Sequence, residues 1–153
     1  MLIKFSPEGE ESKEFEFVPT KLLSVEAEAI ENVGGEAWDT FEEFGYKFLK
    51  GNVRAIRAAL WIMLKRHENP KLRFSDLAFK MDEVAVDYSK TELTRIKEAI
   101  EKDDESVPEH MRDAALAQIN SALRDKEFEG IAKDLKDPSE NLEEGSSTSA
   151  QPD

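Results

Sequence analysis

Residues 53–67 carry the sequence feature that most limits how the chain can fold. Four large apolar residues recur there at helical spacing: Val53, Ile56, Leu60 and Met63. The run from Ala58 to Leu64 fills most of the remaining circumference, and a helix that is apolar nearly all round has to be buried. That run is far shorter than the roughly 20 residues needed to cross a bilayer. We therefore predict a central core helix, preceded by Gly51 and Asn52 and stopped by Asn69-Pro70.

The first fifty residues predict a β-hairpin followed by two helices. Ile3 and Phe5 alternate with Leu2 and Lys4, and two phenylalanines alternate with two glutamates in residues 14–17, as in half-buried strands. Ser6-Pro7-Glu8-Gly9 suits a type I turn between the strands. Ser24 is the expected N-cap of a short helix that stops at Gly34-Gly35. Thr40 and Glu43 have the spacing of a capping box, which opens a second helix.

The rest of the chain predicts further helices after an ambiguous stretch. Residues 72–88 alternate in part as strands do, yet Ser75-Asp76 could cap a helical turn, so we expect an irregular, partly extended segment on the core. Ser89 and Glu92 form another capping box. Residues 103–106 have the composition of a linker, and Pro108 starts a helix to about Arg124. Apolar residues at 128, 131 and 135 indicate a weaker last helical segment.

These elements predict a mainly α fold of the α+β class, in which an N-terminal β-hairpin packs on a small helical core. The hairpin and core domain is expected at residues 1–105, and appended C-terminal helices at 106–137. Residues 138–153 are expected to be a disordered tail. Leu142 is the only large apolar residue there, so the tail cannot bury enough apolar surface to offset the entropy of ordering.

The net charge narrows the classes of partner. The chain carries 34 Asp and Glu against 21 Lys and Arg, a formal net charge of -13. Such a surface repels nucleic-acid phosphates and anionic membranes, and it favours solubility. The absence of cysteine removes disulfides, thiolate nucleophiles and Cys-ligated zinc. Residues 1–8 lack the pattern of a signal peptide, so cytosol is the expected compartment.

No residue pattern indicates an enzymatic site or a cofactor. His67 and His110 are far apart in sequence and outside any metal-ligand motif. Gly34-Gly35 lacks the flanking residues of a phosphate-binding loop, and the carboxylates between positions 76 and 87 lack calcium-loop spacing. We therefore expect no catalytic residue, no metal site and no cofactor, and we do not expect an enzyme.

A basic cluster on the core helix is the candidate partner-binding site. Residues 52–73 contain six basic side chains and one acidic one, between acidic flanks. Arg54, Arg57 and Trp61 share a helix face at i, i+3 and i+7, and Arg with Trp is typical of an interface anchor. Two alternatives stay open. The arginines pair with acidic residues of the first fifty positions while Trp61 is core, or the cluster binds nucleic acid.

Residues 24–86 combine helices and short motifs in a recognisable order. A short acidic helix ending in Gly-Gly leads through Trp38-Asp39-Thr40-Phe41 to a second helix, and residues 51–66 read GNVRAIRAALWIMLKR. Asn69-Pro70 follows, then Arg73-Phe74-Ser75-Asp76-Leu77 and an acidic, β-branched stretch through Val86. This layout resembles the tail assembly chaperone family of long-tailed bacteriophages, over about 60 of the 153 residues.

The resemblance implies a tail assembly chaperone that binds and solubilises the tape measure protein during tail morphogenesis. It implies action in the host cell cytoplasm and absence from the mature virion. The tail tube protein and a frameshifted longer form of the chain are further implied partners, and a homo-oligomer is a further candidate state. The alternatives are a small phage structural component, such as a head–tail connector or tail terminator, and a helical regulatory protein that binds a host partner.

Overall fold

The described part of the chain folds into a small antiparallel sheet and five α-helices. The computed structural model describes residues 1–102 and 108–136. The main elements are, in chain order, β1 (Leu2–Phe5), β2 (Lys13–Glu16), α1 (Ser24–Asn32), α2 (Phe41–Leu49), α3 (Val53–His67), β3 (Val84–Asp87), α4 (Lys90–Lys102) and α5 (Glu109–Lys136). Single 3-10 turns lie at Pro19–Lys21, Phe74–Asp76 and Met81–Glu83. The predicted fold class, mainly α with an N-terminal hairpin, is confirmed.

Two compact units make up the chain. The first is Met1–Ile96, and the second begins at Lys97, within α4. The predicted linker at 103–106, the predicted domain boundary at 105 and the predicted tail at 138–153 lie outside the described residues. Among the helices that are described, none has both the length and the hydrophobicity needed to cross a membrane.

The sheet contains one strand more than the predicted hairpin. Its order is β2-β1-β3, with both neighbours antiparallel to β1, so that Ile3 lies opposite Phe15 on one side and Val86 on the other. The ambiguous stretch at residues 72–88 thus holds two 3-10 turns and then a strand. The expectation of an irregular, partly extended segment was therefore incomplete, because its last part completes the sheet.

The hairpin turn also differs from the prediction. The amide of Glu10 donates to the carbonyl of Pro7, 3.1 Å away, so the turn spans residues 7–10 rather than 6–9. Gly9 becomes its third residue, with φ of 81°. A positive φ at the third position is the geometry of a type II turn, which favours glycine.

The central helix α3 is buried as its sequence predicts. Eight of its residues have almost no exposed surface: Ala55, Ala58, Ala59, Leu60, Trp61, Ile62, Met63 and Leu64. Aromatic rings from the rest of the first unit pack into the same core, among them Phe17, Phe44 and Phe48, whose ring centroids lie 5.4–6.3 Å apart. One continuous core therefore joins the hairpin to α2 and α3.

Local side-chain caps fix most helix starts. The Thr40 hydroxyl accepts from the amide of Glu43, 3.2 Å away, and the Glu43 carboxylate accepts from the amide of Thr40 in return. Asn52 caps α3 through the amide of Ala55 at 3.1 Å. Ser24, however, is the first residue of α1 and not its cap. The position before it, Leu23, is the N-cap, and its amide donates to Glu26.

The second unit departs most from the prediction. Helix α5 runs without interruption from Glu109 to Lys136, where two successive helical segments were expected. The apolar residues change sides of the helix near residue 125, and the repeat at 128, 131 and 135 was interpreted as a separate, weaker segment. The helix continues because residues 124–129 are mostly good helix formers and none is proline.

Shortening a core side chain of α3 tests its position. We expect Leu60→Ala to lower the free energy of unfolding by about 2–5 kcal/mol, since Leu60 is fully buried and its loss leaves a cavity. Urea denaturation measures the change. Val53→Ala, at the exposed start of the same helix, is the matched control and should cost less than about 0.5 kcal/mol. Equal effects of the two substitutions would contradict the buried position of α3.

Candidate functional site

The three predicted site residues of α3 meet around one aromatic ring. Phe74, in the 3-10 turn after α3, packs edge-on against Trp61 with ring centroids 5.5 Å apart. The guanidinium carbon of Arg57 lies 4.3 Å from the centroid of the same ring, and that of Arg54 lies 5.6 Å away. The structure thus brings Arg54, Arg57 and Trp61 together, as their i, i+3 and i+7 spacing predicts.

Each of the three side chains donates a hydrogen bond to a backbone carbonyl. Trp61 Nε1 donates to Leu72 at 2.9 Å, and an Arg57 terminal nitrogen donates to Phe74 at 2.7 Å. These two bonds hold the segment after the Asn69-Pro70 stop against α3. With 6% of its surface exposed, Trp61 is a core residue with a satisfied indole N–H.

Arg54 connects α3 to the end of α1. Its Nε donates to the carbonyl of Val33 at 2.8 Å, and Val33 is the C-cap of α1. A cation at this position satisfies a carbonyl that has no partner within the helix and complements the helix dipole. Gly35 permits the approach, because a Cβ on it would lie 3.2 Å from the guanidinium, and its φ of 61° also favours glycine.

The alternative that Arg54 and Arg57 pair with acidic residues needs correction. Within the described part of the chain, Arg54 and Arg57 bond to carbonyls and lie beside Phe74, and neither forms an ion pair with a carboxylate. The buried Nε of Arg57 has no hydrogen-bond partner among the described residues. Sequence reasoning missed Phe74, although an aromatic residue soon after a helix-ending Asn-Pro is a signal for packing back onto that helix. The partner-binding role of these residues stays a prediction.

Arg66, another residue of the basic cluster, does pair with an acidic residue of the first fifty. Its Nε donates to Glu26 Oε1 at 2.9 Å, and a second bond joins its terminal nitrogen to the other carboxylate oxygen. This two-bond contact ties the end of α3 to the start of α1. The guanidinium of Arg66 lowers the pKa of Glu26 through these hydrogen bonds. The basic cluster is therefore built mainly into the first unit's own contacts.

The other residues considered for chemistry have structural positions. His67 stacks on Phe15, with ring centroids 5.9 Å apart, and His110 is exposed on α5. No group of three or more metal-ligating side chains occurs in residues 1–102 and 108–136. Burial raises the pKa of Tyr88 to about 12, and its hydroxyl donates to the carbonyl of Phe48 at 3.3 Å.

Helix α5 provides a second candidate surface. Among the side chains described for it, none is buried, although one side of the helix is half-buried, at Ala115, Leu116, Ile119 and Leu123. Met111, Phe128 and Ile131 are each more than half exposed, and Phe128 is 70% exposed. A helix that leaves large apolar side chains in solvent has surface available for another helix.

Arg54, Arg57 and Trp61 form what we call the arginine site. Replacing Arg57 tests the intramolecular role of this site. Arg57→Ala should lower the free energy of unfolding by about 1–2 kcal/mol, because the Phe74 carbonyl loses a charged donor and the ring loses a cation. Arg73→Ala is the matched control. Among the described residues Arg73 pairs with Asp76 alone, in an exposed i, i+3 contact, so its replacement should change stability much less than Arg57→Ala does. Chemical denaturation that finds no difference between the variants would contradict the intramolecular role.

The Glu26–Arg66 pair predicts a dependence of stability on pH. Because the pKa of Glu26 is lower in the folded chain, its stabilising effect is complete above its ordinary pKa of roughly 4.3 and is lost as pH falls through the lower folded value. Thermal melts of Glu26→Gln should therefore lose less stability on acidification than the parent does. Glu28→Gln, on the same helix, is the control and should follow the parent. Parallel curves for Glu26→Gln and the parent would contradict the assignment.

Comparison with known proteins gives no relative from which a role could be transferred. No protein-family model matches the chain, and neither a curated protein nor a solved structure matches it.

Proposed function

We propose that the chain is a phage tail assembly chaperone, which binds the tape measure protein and keeps it in solution during tail morphogenesis. The single observation that carries the proposal is α5, a helix of 28 residues that exposes Met111, Phe128 and Ile131. A long, hydrophobic, helical client is a partner whose apolar stripe such a helix can cover. The residue layout of the first unit also supports the proposal, because it resembles that of the tail assembly chaperone family.

The charge of the chain supports a solubilising role. Helix α5 has six acidic and five basic residues, a net charge of -1, whereas the whole chain carries -13. Most of the negative charge therefore lies outside α5. A client bound along α5 would be accompanied by a strongly acidic chain, and a large net charge keeps the complex from aggregating.

The hydrogen bonds of the arginine site indicate which surface binds the client. Arg54, Arg57 and Trp61 use their donors within the first unit, where they hold α1 and the Phe74 segment against α3. This use favours α5 over the arginine site as the client surface. The first unit then acts as a stable, acidic body, and α5 contacts the client. Action in the host cytoplasm, and absence from the mature particle, follow from the same proposal.

Co-expression with the cognate tape measure protein tests this function. The chain should raise the soluble yield of that protein and co-purify with it. Phe128→Ser combined with Ile131→Ser should abolish both effects, because it removes the two exposed apolar side chains near the end of α5. The matched control is Leu23→Ser with Val25→Ser, which removes two equally exposed apolar residues from the first unit. This control should act as the parent chain does.

Two results would overturn the proposal. The first is a chain that neither solubilises nor binds the tape measure protein. The second is a chain present in stoichiometric amount in purified virions, which would identify a structural component such as a connector or terminator. Loss of activity in both double variants alike would show that general hydrophobicity, and not α5, holds the client.

A further inference from the structure

One side of α5 has the residue spacing of a coiled coil, and the fold leaves it uncovered. We call this side the open face. Its six residues are separated by alternating steps of three and four, and all are exposed: Ala114, Ala117, Ser121, Arg124, Phe128 and Ile131. Alternating steps of three and four keep a seam on one side of a helix when two helices wind around each other. The half-buried apolar residues Ala115, Leu116, Ile119 and Leu123 lie on the other side.

Side-chain size along the open face is asymmetric. Its first half carries the small residues Ala114, Ala117 and Ser121, and its second half carries the large residues Phe128 and Ile131. Two such helices placed side by side in parallel would bring large residues against large and leave a gap between the small ones. In an antiparallel pair, large residues face small ones, and the two surfaces interdigitate.

We propose that the open face binds a second copy of this chain, as an antiparallel helix pair with its two-fold axis between Ser121 and Arg124. In this register Phe128 of one copy packs on Ala117 of the other, and Ile131 packs on Ala114. Ser121 faces Arg124 across the axis. A polar layer at the centre of a coiled coil selects one register, at some cost in stability.

The flanking residues agree with this register. Asp125 of one copy lies beside Gln118 of the other, and Glu127 lies beside Asn120. Each carboxylate therefore meets an amide that can donate to it, and no two like charges face each other at these four positions.

Net charge also favours α5 as the place where two copies meet. Chains with a net charge of -13 repel each other over most of their surface, but α5 carries only -1. Contact through α5 therefore brings together two nearly neutral helices, which repel each other little. The dimer does not rest on the proposed chaperone function, since it needs no client. If both hold, client and second copy compete for Phe128 and Ile131.

Light scattering across a dilution series of the full chain tests the dimer. The parent chain should be dimeric at concentrations where Phe128→Glu is monomeric. Loss of the aromatic anchor should raise the dissociation constant of the variant about tenfold or more. Ala117→Glu should have the same effect from the opposite side of the contact. Because Ala117 is exposed, its replacement leaves the fold of the single chain intact, as circular dichroism will show. Lys133→Ala changes the charge equally but lies off the open face, and should remain dimeric.

Cross-linking tests orientation and register. The chain has no cysteine, so single cysteines report one contact. A mixture of Ser121→Cys and Arg124→Cys chains should, on oxidation, form the mixed disulfide in preference to either homodimer. Preference for the two homodimers would show a parallel pair and overturn the proposal.

The remaining outcomes separate this inference from the proposed function. A parent chain that is monomeric at every concentration overturns the inference. A dimer that neither glutamate substitution weakens also overturns it, because such a dimer does not form through the open face. Such a monomer could still bind the tape measure protein, and the chaperone function would then stand alone. A dimer that never binds that client leaves the inference standing and removes the function.

Discussion

Burial of the middle of α3 is the constraint on which the rest of the first unit depends. Its middle has apolar side chains on every side, so other elements have to cover it all round. The sheet, α1, α2 and the segment around Phe74 supply that cover. Covering α3 also requires polar contacts. Each segment that packs against α3 brings backbone carbonyls, and these carbonyls require hydrogen-bond donors. Arg54, Arg57 and Trp61 are those donors, and this explains why residues with the composition of an interface are used inside the unit.

Features determined by neighbouring residues could be predicted from the sequence. The capping box at Thr40, the cap at Asn52 and the end of α3 near His67 depend on residues within a few positions, and each is found where it was expected. Ser24 failed as a cap because the backbone of Leu23, held by Glu26, takes that place. The error is one residue, within the usual range for helix ends.

Features determined by distant residues could not be predicted in the same way. Strand β3 forms because β1 offers an open edge, and nothing within residues 84–87 reveals that partner. The candidate site shows both cases. Helical spacing placed Arg54, Arg57 and Trp61 on one face, but Phe74 and the carbonyls of Val33 and Leu72 come from other segments. The length of α5 was missed because the apolar repeat at 128, 131 and 135 was interpreted as a separate segment, although the intervening residues continue the helix.

The position of β1 at the centre of the sheet has a consequence for the order in which the chain folds during synthesis. Leu2 pairs with Glu16 on one side and with Asp87 on the other. One edge of β1 therefore stays unpaired until α3 and the turns after it have been synthesised. Pairing between such distant residues slows folding, because a long loop has to close first. On the ribosome, the hairpin can form early with one edge unpaired. Arrival of β3 closes that edge, and the first unit can complete its sheet only after about residue 87 has left the exit tunnel.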